Sequence, residues 1–286
     1  MAPRITSGIG AAGLLLLGAS CVFLLASADG DSGALRYNAM FNFGDSLSDT
    51  GNLCVNKSAT AELLLTFANP PYGMTYFGHP TCRCSDGRLV VDFLAQSLGL
   101  PFLPPSKLPG ADFRKGANMA IVGATALDFE FLAAELQALP RQSYAPNVVD
   151  NIAAAVERLI ELGAADIVVP GTLPIGCVAL YLAVLPSRDK SDYDERGCLK
   201  PLNDLATYHN SLLQDRLARA RAGHGPAARI MYADYYAYAM DMLRDPACGD
   251  PWRHESWDGV HPTEAVNRLV ADGWLRGPYC HPPILQ

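Results

Sequence analysis

The chain has 286 residues, 50% apolar and 18% charged, with a formal net charge of −7. That is enough for one α/β-sized domain with an ample core. The acidic balance, with no cluster of Lys and Arg, excludes a phosphate-tracking surface, so no nucleic-acid partner is expected.

The N-terminus begins with Arg4 and then runs from Ile9 to Leu25 almost wholly apolar, ending in Ala26-Ser27-Ala28. A short positive region, an apolar stretch and an A-x-A site read as a signal peptide, residues 1–28, cut before Asp29. An uncleaved anchor is the rival reading; the run is short for a membrane span. No later segment reaches transmembrane length, so no stable membrane insertion is expected of residues 29–286, which read as a single domain. Of eight cysteines, seven follow Asp29, an odd number that leaves at least one without an intramolecular partner. Cys82 and Cys84 lack a second close Cys or His pair, so a disulfide or free thiol is expected there rather than zinc. Asn56-Lys57-Ser58 is a sequon, and Asn56 a candidate glycan site.

Tyr37 to Phe43 reads as a buried strand entering a turn at Gly44. Residues 69–88 read as a long ordered loop, and Arg88 to Leu98 as a helix stopped by Gly99. A second strand is expected over Asn118 to Val122, ending at Gly123. Val149, Ile152, Val156, Leu159 and Ile160 recur at helical spacing in a helix over Val148 to Leu162. Asp166 to Val169 and Ile230 to Ala233 read as further strands. Helices are expected over Pro201 to Ala222, Tyr235 to Leu243 and Pro262 to Leu275. Short, continuously apolar strands alternating with helices indicate a parallel sheet covered on both faces. Such a sheet binds ligands at the carboxyl ends of its strands.

Two segments carry chemistry. The first is Gly44-Asp45-Ser46-Leu47-Ser48-Asp49-Thr50-Gly51-Asn52. A serine hydroxyl needs a base to become a nucleophile, and a strand-to-turn junction exposes Ser46 at the sheet edge. A helix starting there would aim N–H groups at a nearby oxyanion; the bland alternative is that Ser46 or Ser48 caps that helix. The second is Asp258-Gly259-Val260-His261-Pro262. Three-residue spacing lets Asp258 accept from the His261 imidazole across one turn, fixing its tautomer as in a Ser-His-Asp triad.

With these blocks the chain resembles the plant GDSL esterase/lipases of the SGNH hydrolase superfamily. The stretches Pro71-Tyr72-Gly73, Cys84-Ser85-Asp86-Gly87-Arg88, Phe113 to Asn118, Pro174-Ile175-Gly176-Cys177 and Tyr208-His209-Asn210 extend the resemblance over nearly the whole chain. It implies a flavodoxin-like three-layer α/β/α sandwich with a mostly parallel sheet, hydrolysing carboxylic esters without metal or cofactor. It makes Ser46 the nucleophile and one oxyanion donor through its own N–H, His261 the base and Asp258 its orienting partner. Gly123 becomes a second oxyanion donor, with close backbone packing as the alternative reason for that glycine. The expected partner is a small-molecule or polysaccharide-linked ester, acetyl, acyl or phenolic. The expected location is extracellular, in the apoplast or cell wall.

The resemblance also implies a third block, G-x-N-D, whose Asn would be a further oxyanion donor. Phe129 to Ser143 contains neither Asn nor Gly. The chain reads as shortened there, and again between Leu243 and Asp258. The sheet should then lack a central strand beside the one that delivers Ser46. Another segment fills the gap, or the sheet closes up, or the chain is an isoform without stable activity. A secreted binding protein that has lost turnover is the alternative function. Cys177 is expected to pair with Cys198, and Cys82 stands where relatives tend to have Gly.

Overall fold

The computed structural model describes residues 21–26, 37–55, 66–126, 145–244 and 256–286, with backbone alone for 21–26. The strands are β1 (Cys21–Ala26), β2 (Tyr37–Phe43), β3 (Gly116–Asn118), β4 (Asp166–Pro170), β5 (Arg229–Ala233) and β6 (Cys280–His281). The helices are α1 (Asn52–Val55), α2 (Val90–Ser97), α3 (Ala145–Glu161), α4 (Ala179–Val184), α5 (Lys200–His224), α6 (Tyr235–Met242) and α7 (Glu264–Arg276).

The strands form one sheet in the order β3-β2-β1-β4-β5-β6. The β2–β3 and β4–β5 pairs are parallel, as continuous apolar strands predict. Strand β6 adds an antiparallel edge. All five residues of β4 are buried, because helices cover the sheet on both faces. One layer packs Val90, Phe93 and Leu94 of α2 with Val266, Val270 and Trp274 of α7 over Met40, Val168 and Met231. The other packs Val148, Val149, Ile152 and Val156 of α3 with Leu205, Leu213 and Leu217 of α5 over Ile167, Val169 and Ile230. This is the three-layer α/β/α sandwich that the pattern predicts.

Three details depart from the sequence reading. The second strand covers Gly116–Asn118 and not Asn118 to Val122. Beyond it, the Met119 and Ile121 N–H groups still donate to the Asn42 and Gly44 carbonyls, at 2.7 and 3.1 Å, so the chain leaves the sheet gradually alongside β2. Helix α3 starts three residues early, because Pro146 is well placed in a first turn, where its missing N–H goes unused. The third difference is at the centre. The gap expected beside β2 is filled by β1, antiparallel to both β2 and β4, and β1 lies within the run read as a signal peptide.

Cys177 pairs with Cys198 as expected, Cα–Cα 4.4 Å. Cys54 pairs with Cys82, Cα–Cα 6.1 Å. Cys82 sits at φ +60°, a conformation that favours glycine, which accounts for the residue expected at that place. Cys84 and Cys280 are buried free thiols. Cys248, Asn56, the second shortening and the segment expected to hold the third block lie outside the described residues.

Candidate active site

Strand β2 delivers the chain into a turn that Asp45 shapes. Its carboxyl oxygen accepts from Leu47 N–H at 2.9 Å and its carbonyl from Ser48 N–H at 3.1 Å, a side-chain-closed turn of the kind Asp favours. Ser46 stands at its corner, 5% exposed. The helix that follows does not begin there. It begins at Asn52, and Asp49 caps it, accepting from the Gly51, Asn52 and Leu53 N–H groups at 2.8, 2.6 and 3.1 Å. Helix α1 therefore does not start at Ser46, and neither Ser46 nor Ser48 is its cap.

Asp49 and two asparagines lock the second block against this turn. Asp49 also accepts from Val122 N–H at 3.1 Å. Asn52 donates to the Asn118 and Ala120 carbonyls at 2.7 and 2.8 Å. Asn118 donates to the Ser48 carbonyl at 2.6 Å and accepts from Asn42 at 3.1 Å. Burial raises the Asp49 carboxyl above its usual range, while these amides pull it down. The result places Gly123 two residues past Ile121, whose N–H is bonded to Gly44, two residues before Ser46. Gly123 is at φ +81° with open space where a Cβ would sit, so backbone conformation requires this glycine and close packing does not. Gly116 is the packed one, since a Cβ there would collide with the Met40 backbone. Neither the Ser46 nor the Gly123 N–H donates to another described residue.

The base region is built from one local turn. Asp258 Oδ1 accepts from the Val260 and His261 N–H groups at 2.9 and 2.8 Å. Asp258 Oδ2 lies 2.6 Å from His261 Nδ1. Tyr72 O–H donates to the same Oδ2 at 2.8 Å. Burial would raise the Asp258 carboxyl, but the His261 hydrogen bond, its charge and the two amides outweigh that and hold it well below the usual carboxylate range. Phe67 meets the Tyr72 ring edge-on at 5.0 Å and the imidazole at 5.5 Å. Thr263 caps α7 just beyond, and Glu264 N–H donates to Asp86 at 2.7 Å. The Glu264 carboxylate takes Arg88 in an ion pair at 2.7 Å, so the 85–88 loop fixes the helix that follows His261.

The turn therefore brings Asp258 and His261 together as the spacing predicts. Among the described residues neither His261 Nε2 nor the Ser46 hydroxyl has a hydrogen-bond partner, and no hydrogen bond joins the two. Burial raises the carboxyl of Asp45, beside Ser46, while the Leu47 N–H and the His261 charge lower it. Sequence reasoning missed Tyr72, Phe67, Asp49, Asn52 and Asn118. The last three carried a signal, being Asx residues clustered at strand and turn ends; Tyr72 carried none beyond the Pro71-Tyr72-Gly73 stretch, and Phe67 carried none. Among the described residues no group of three or more His, Cys, Asp or Glu is placed to hold a metal, and Cys82 is used by Cys54. No helix among them is long and apolar enough to cross a membrane.

An α/β/α sandwich whose sheet pairs β2 with β3 and β4 with β5 in parallel, with a serine turn at a strand's carboxyl end and a carboxylate–imidazole pair before the last helix, is the layout of an α/β hydrolase-like enzyme. The sequence model of the family described as GDSL-like Lipase/Acylhydrolase matches residues 40–149 and 140–274. Similar proteins from Arabidopsis thaliana include GDSL esterase/lipase At1g28570, 31% identical over 91% of this chain and 90% of its own length. GDSL esterase/lipase At1g28600 is 32% identical over 87% and 86%, and GDSL esterase/lipase At5g45910 is 31% identical over 87% and 92%. The chain belongs to the GDSL-like lipase/acylhydrolase family, and with it to the carboxylic ester hydrolases. The At1g28570 match spans 355 positions, more than the 286 residues of this chain, so that relative has internal segments without a counterpart here.

Proposed function

We propose that the chain cleaves carboxylic esters through Ser46, His261 and Asp258 by way of an acyl-enzyme. Ser46 Oγ attacks the ester carbonyl as His261 Nε2 takes its proton. The N–H groups of Ser46 and Gly123 receive the oxyanion, and His261 returns the proton to the departing alcohol. A water deprotonated by His261 then releases the acid. The observation that carries this reading is the Asp258–His261 contact at 2.6 Å, with Nε2 unengaged among the described residues. Family membership supports small-molecule ester substrates; acetyl, acyl and phenolic esters, free or polysaccharide-linked, are all compatible with the site. The habit of the family supports an extracellular destination, and Asn56 a glycan there.

The sequence reading found no G-x-N-D block, which favours a second reading, a binding protein with little turnover. One oxyanion donor is worth ~10²–10³ in rate, so its loss leaves a slow enzyme while the triad remains. A fluorophosphonate probe distinguishes the two. Labelling at Ser46 that disappears in His261→Ala is the expected result; a folded chain that neither labels nor cleaves p-nitrophenyl acetate leaves only binding.

Tyr72 offers a finer test of the same machinery. Tyr72→Phe keeps the ring against Phe67 and removes one donor from the Asp258 carboxylate. The carboxylate that orients the imidazole is then held by one tie fewer. The expected result is a loss of roughly 10-fold in kcat/KM, about 1.4 kcal/mol, at neutral pH, with the urea midpoint near that of the parent. An unchanged kcat/KM would limit Tyr72 to packing.

A further inference from the structure

Strand β1 lies where the sheet would otherwise be open. It pairs along its whole length with β2 and through Val22, Phe23 and Leu24 with β4, and β2 and β4 share no pairing of their own. Without it, two rows of backbone N–H and C=O groups would face each other unpaired. The place is not one for water. Met40, Ile167, Val168 and Val169 are fully buried. Met40 and Val168 belong to one core layer, Ile167 and Val169 to the other, with Phe41 and Phe43 packed against it.

A clasp sets the width of this trench. Tyr37, at the start of β2, donates its O–H to Asp166 at the start of β4, at 2.6 Å. Arg229 of β5 bonds the same carboxylate at 2.6 Å and the Tyr37 hydroxyl at 3.1 Å. The tyrosine thus reaches past one intervening strand, over two strand spacings, roughly 9–10 Å. Direct pairing of β2 with β4 would halve that span and break the clasp. The segment Cys21-Val22-Phe23-Leu24-Leu25-Ala26 is apolar at every position, the composition of a strand covered on both faces.

We propose that the trench between β2 and β4 is a binding site for an extended apolar peptide strand, that residues 21–26 are its occupant, and that the folded protein is the form that keeps them. Main-chain hydrogen bonds supply the affinity, as in other strand additions. The chain has thus recruited an export-like segment in place of a central strand. A cut before Asp29 falls two residues past Ala26 and would separate the strand from its slot, so export with cleavage and closure of the sheet compete for the same residues.

Hydrogen exchange on the intact chain tests this. Amides 22–25 are expected to exchange on the order of 10³-fold or more slowly than in a free peptide, together with those of β2 and β4. Leu24→Pro removes an amide donor from the middle of the strand and should release β2 and β4 together; Leu24→Val should not. A chain beginning at Asp29 should lose protection in both strands and regain it when a synthetic peptide of residues 19–28 is added. Free-peptide exchange at 22–25 in an otherwise protected intact chain overturns the proposal. So does an Asp29 chain with the urea midpoint of the intact one. Should the Asp29 chain precipitate, exchange in the intact chain still decides, and none of these readouts depends on ester hydrolysis.

Discussion

Exchanging Asp258 for asparagine is expected to lower kcat about 10⁴-fold and leave the fold in place. The carboxylate has two separable tasks. Oδ1 closes the turn by accepting from the Val260 and His261 N–H groups, and an asparagine oxygen can do the same. Oδ2 accepts from His261 Nδ1, and there an NH₂ group fails, because it can only donate. The imidazole then settles in the tautomer with its proton on Nε2, which cannot take the proton of Ser46. Rate is lost through protonation geometry and not through unfolding. Turnover of p-nitrophenyl acetate and the rate of fluorophosphonate labelling should fall together while the urea midpoint stays near that of the parent. A drop smaller than 10-fold would mean that Asp258 does not orient the base, and the triad assignment would go with it.

What the sequence made legible follows from range. The Asp258–His261 pair is a one-turn contact, so spacing alone predicted it. Strands β2, β4 and β5 announced themselves because continuous apolar runs between turn residues have few other uses. The helices over α3 and α5 followed from apolar spacing, and the ends of α3 and α7 are displaced by Pro146 and by the Thr263 cap. Contacts made across the fold were invisible. Tyr72 meets Asp258 from 186 positions away, and nothing near Tyr72 names its partner. Cys82 looked anomalous only until Cys54 was found opposite it. The strand that lies between β2 and β4 was not foreseen. An apolar run followed by small residues satisfies the pattern of an export signal and that of a buried strand equally well, and only pairing with β2 and β4 separates them. The helix expected at Ser46 failed for a similar reason: Gly44 and Ser46 signal a turn, but the Asp49 cap, three residues on, decides where the helix begins.

The largest effect on stability is expected at Arg83. Its guanidinium forms a two-point pair with Asp92, both contacts 2.8 Å, with side chains only 8% and 0% exposed. A third donor reaches the Thr50 carbonyl at 3.2 Å, and the Phe77 ring lies 4.8 Å from the guanidinium carbon. Asp92 also accepts from Leu89 N–H at 2.9 Å, where α2 begins. One side chain therefore ties the Cys82–Cys84 loop, the end of the serine turn and the first turn of α2 together. Arg83→Ala leaves the Asp92 charge buried with only a backbone donor, which is expected to remove about 3–5 kcal/mol. Against the ~5–15 kcal/mol that holds a typical domain together, that is enough to populate unfolded chain at 37 °C. Arg83→Lys should recover little, because an ammonium cannot present the planar fork that both carboxylate oxygens use. Removing both charges, as in Arg83→Met with Asp92→Leu, should recover most of the loss, because no unpaired ion is then left inside. Urea midpoints for the two single variants and the double variant check this. An Arg83→Ala chain within ~1 kcal/mol of the parent would show that water reaches Asp92, and that the pair does not hold the serine turn against α2.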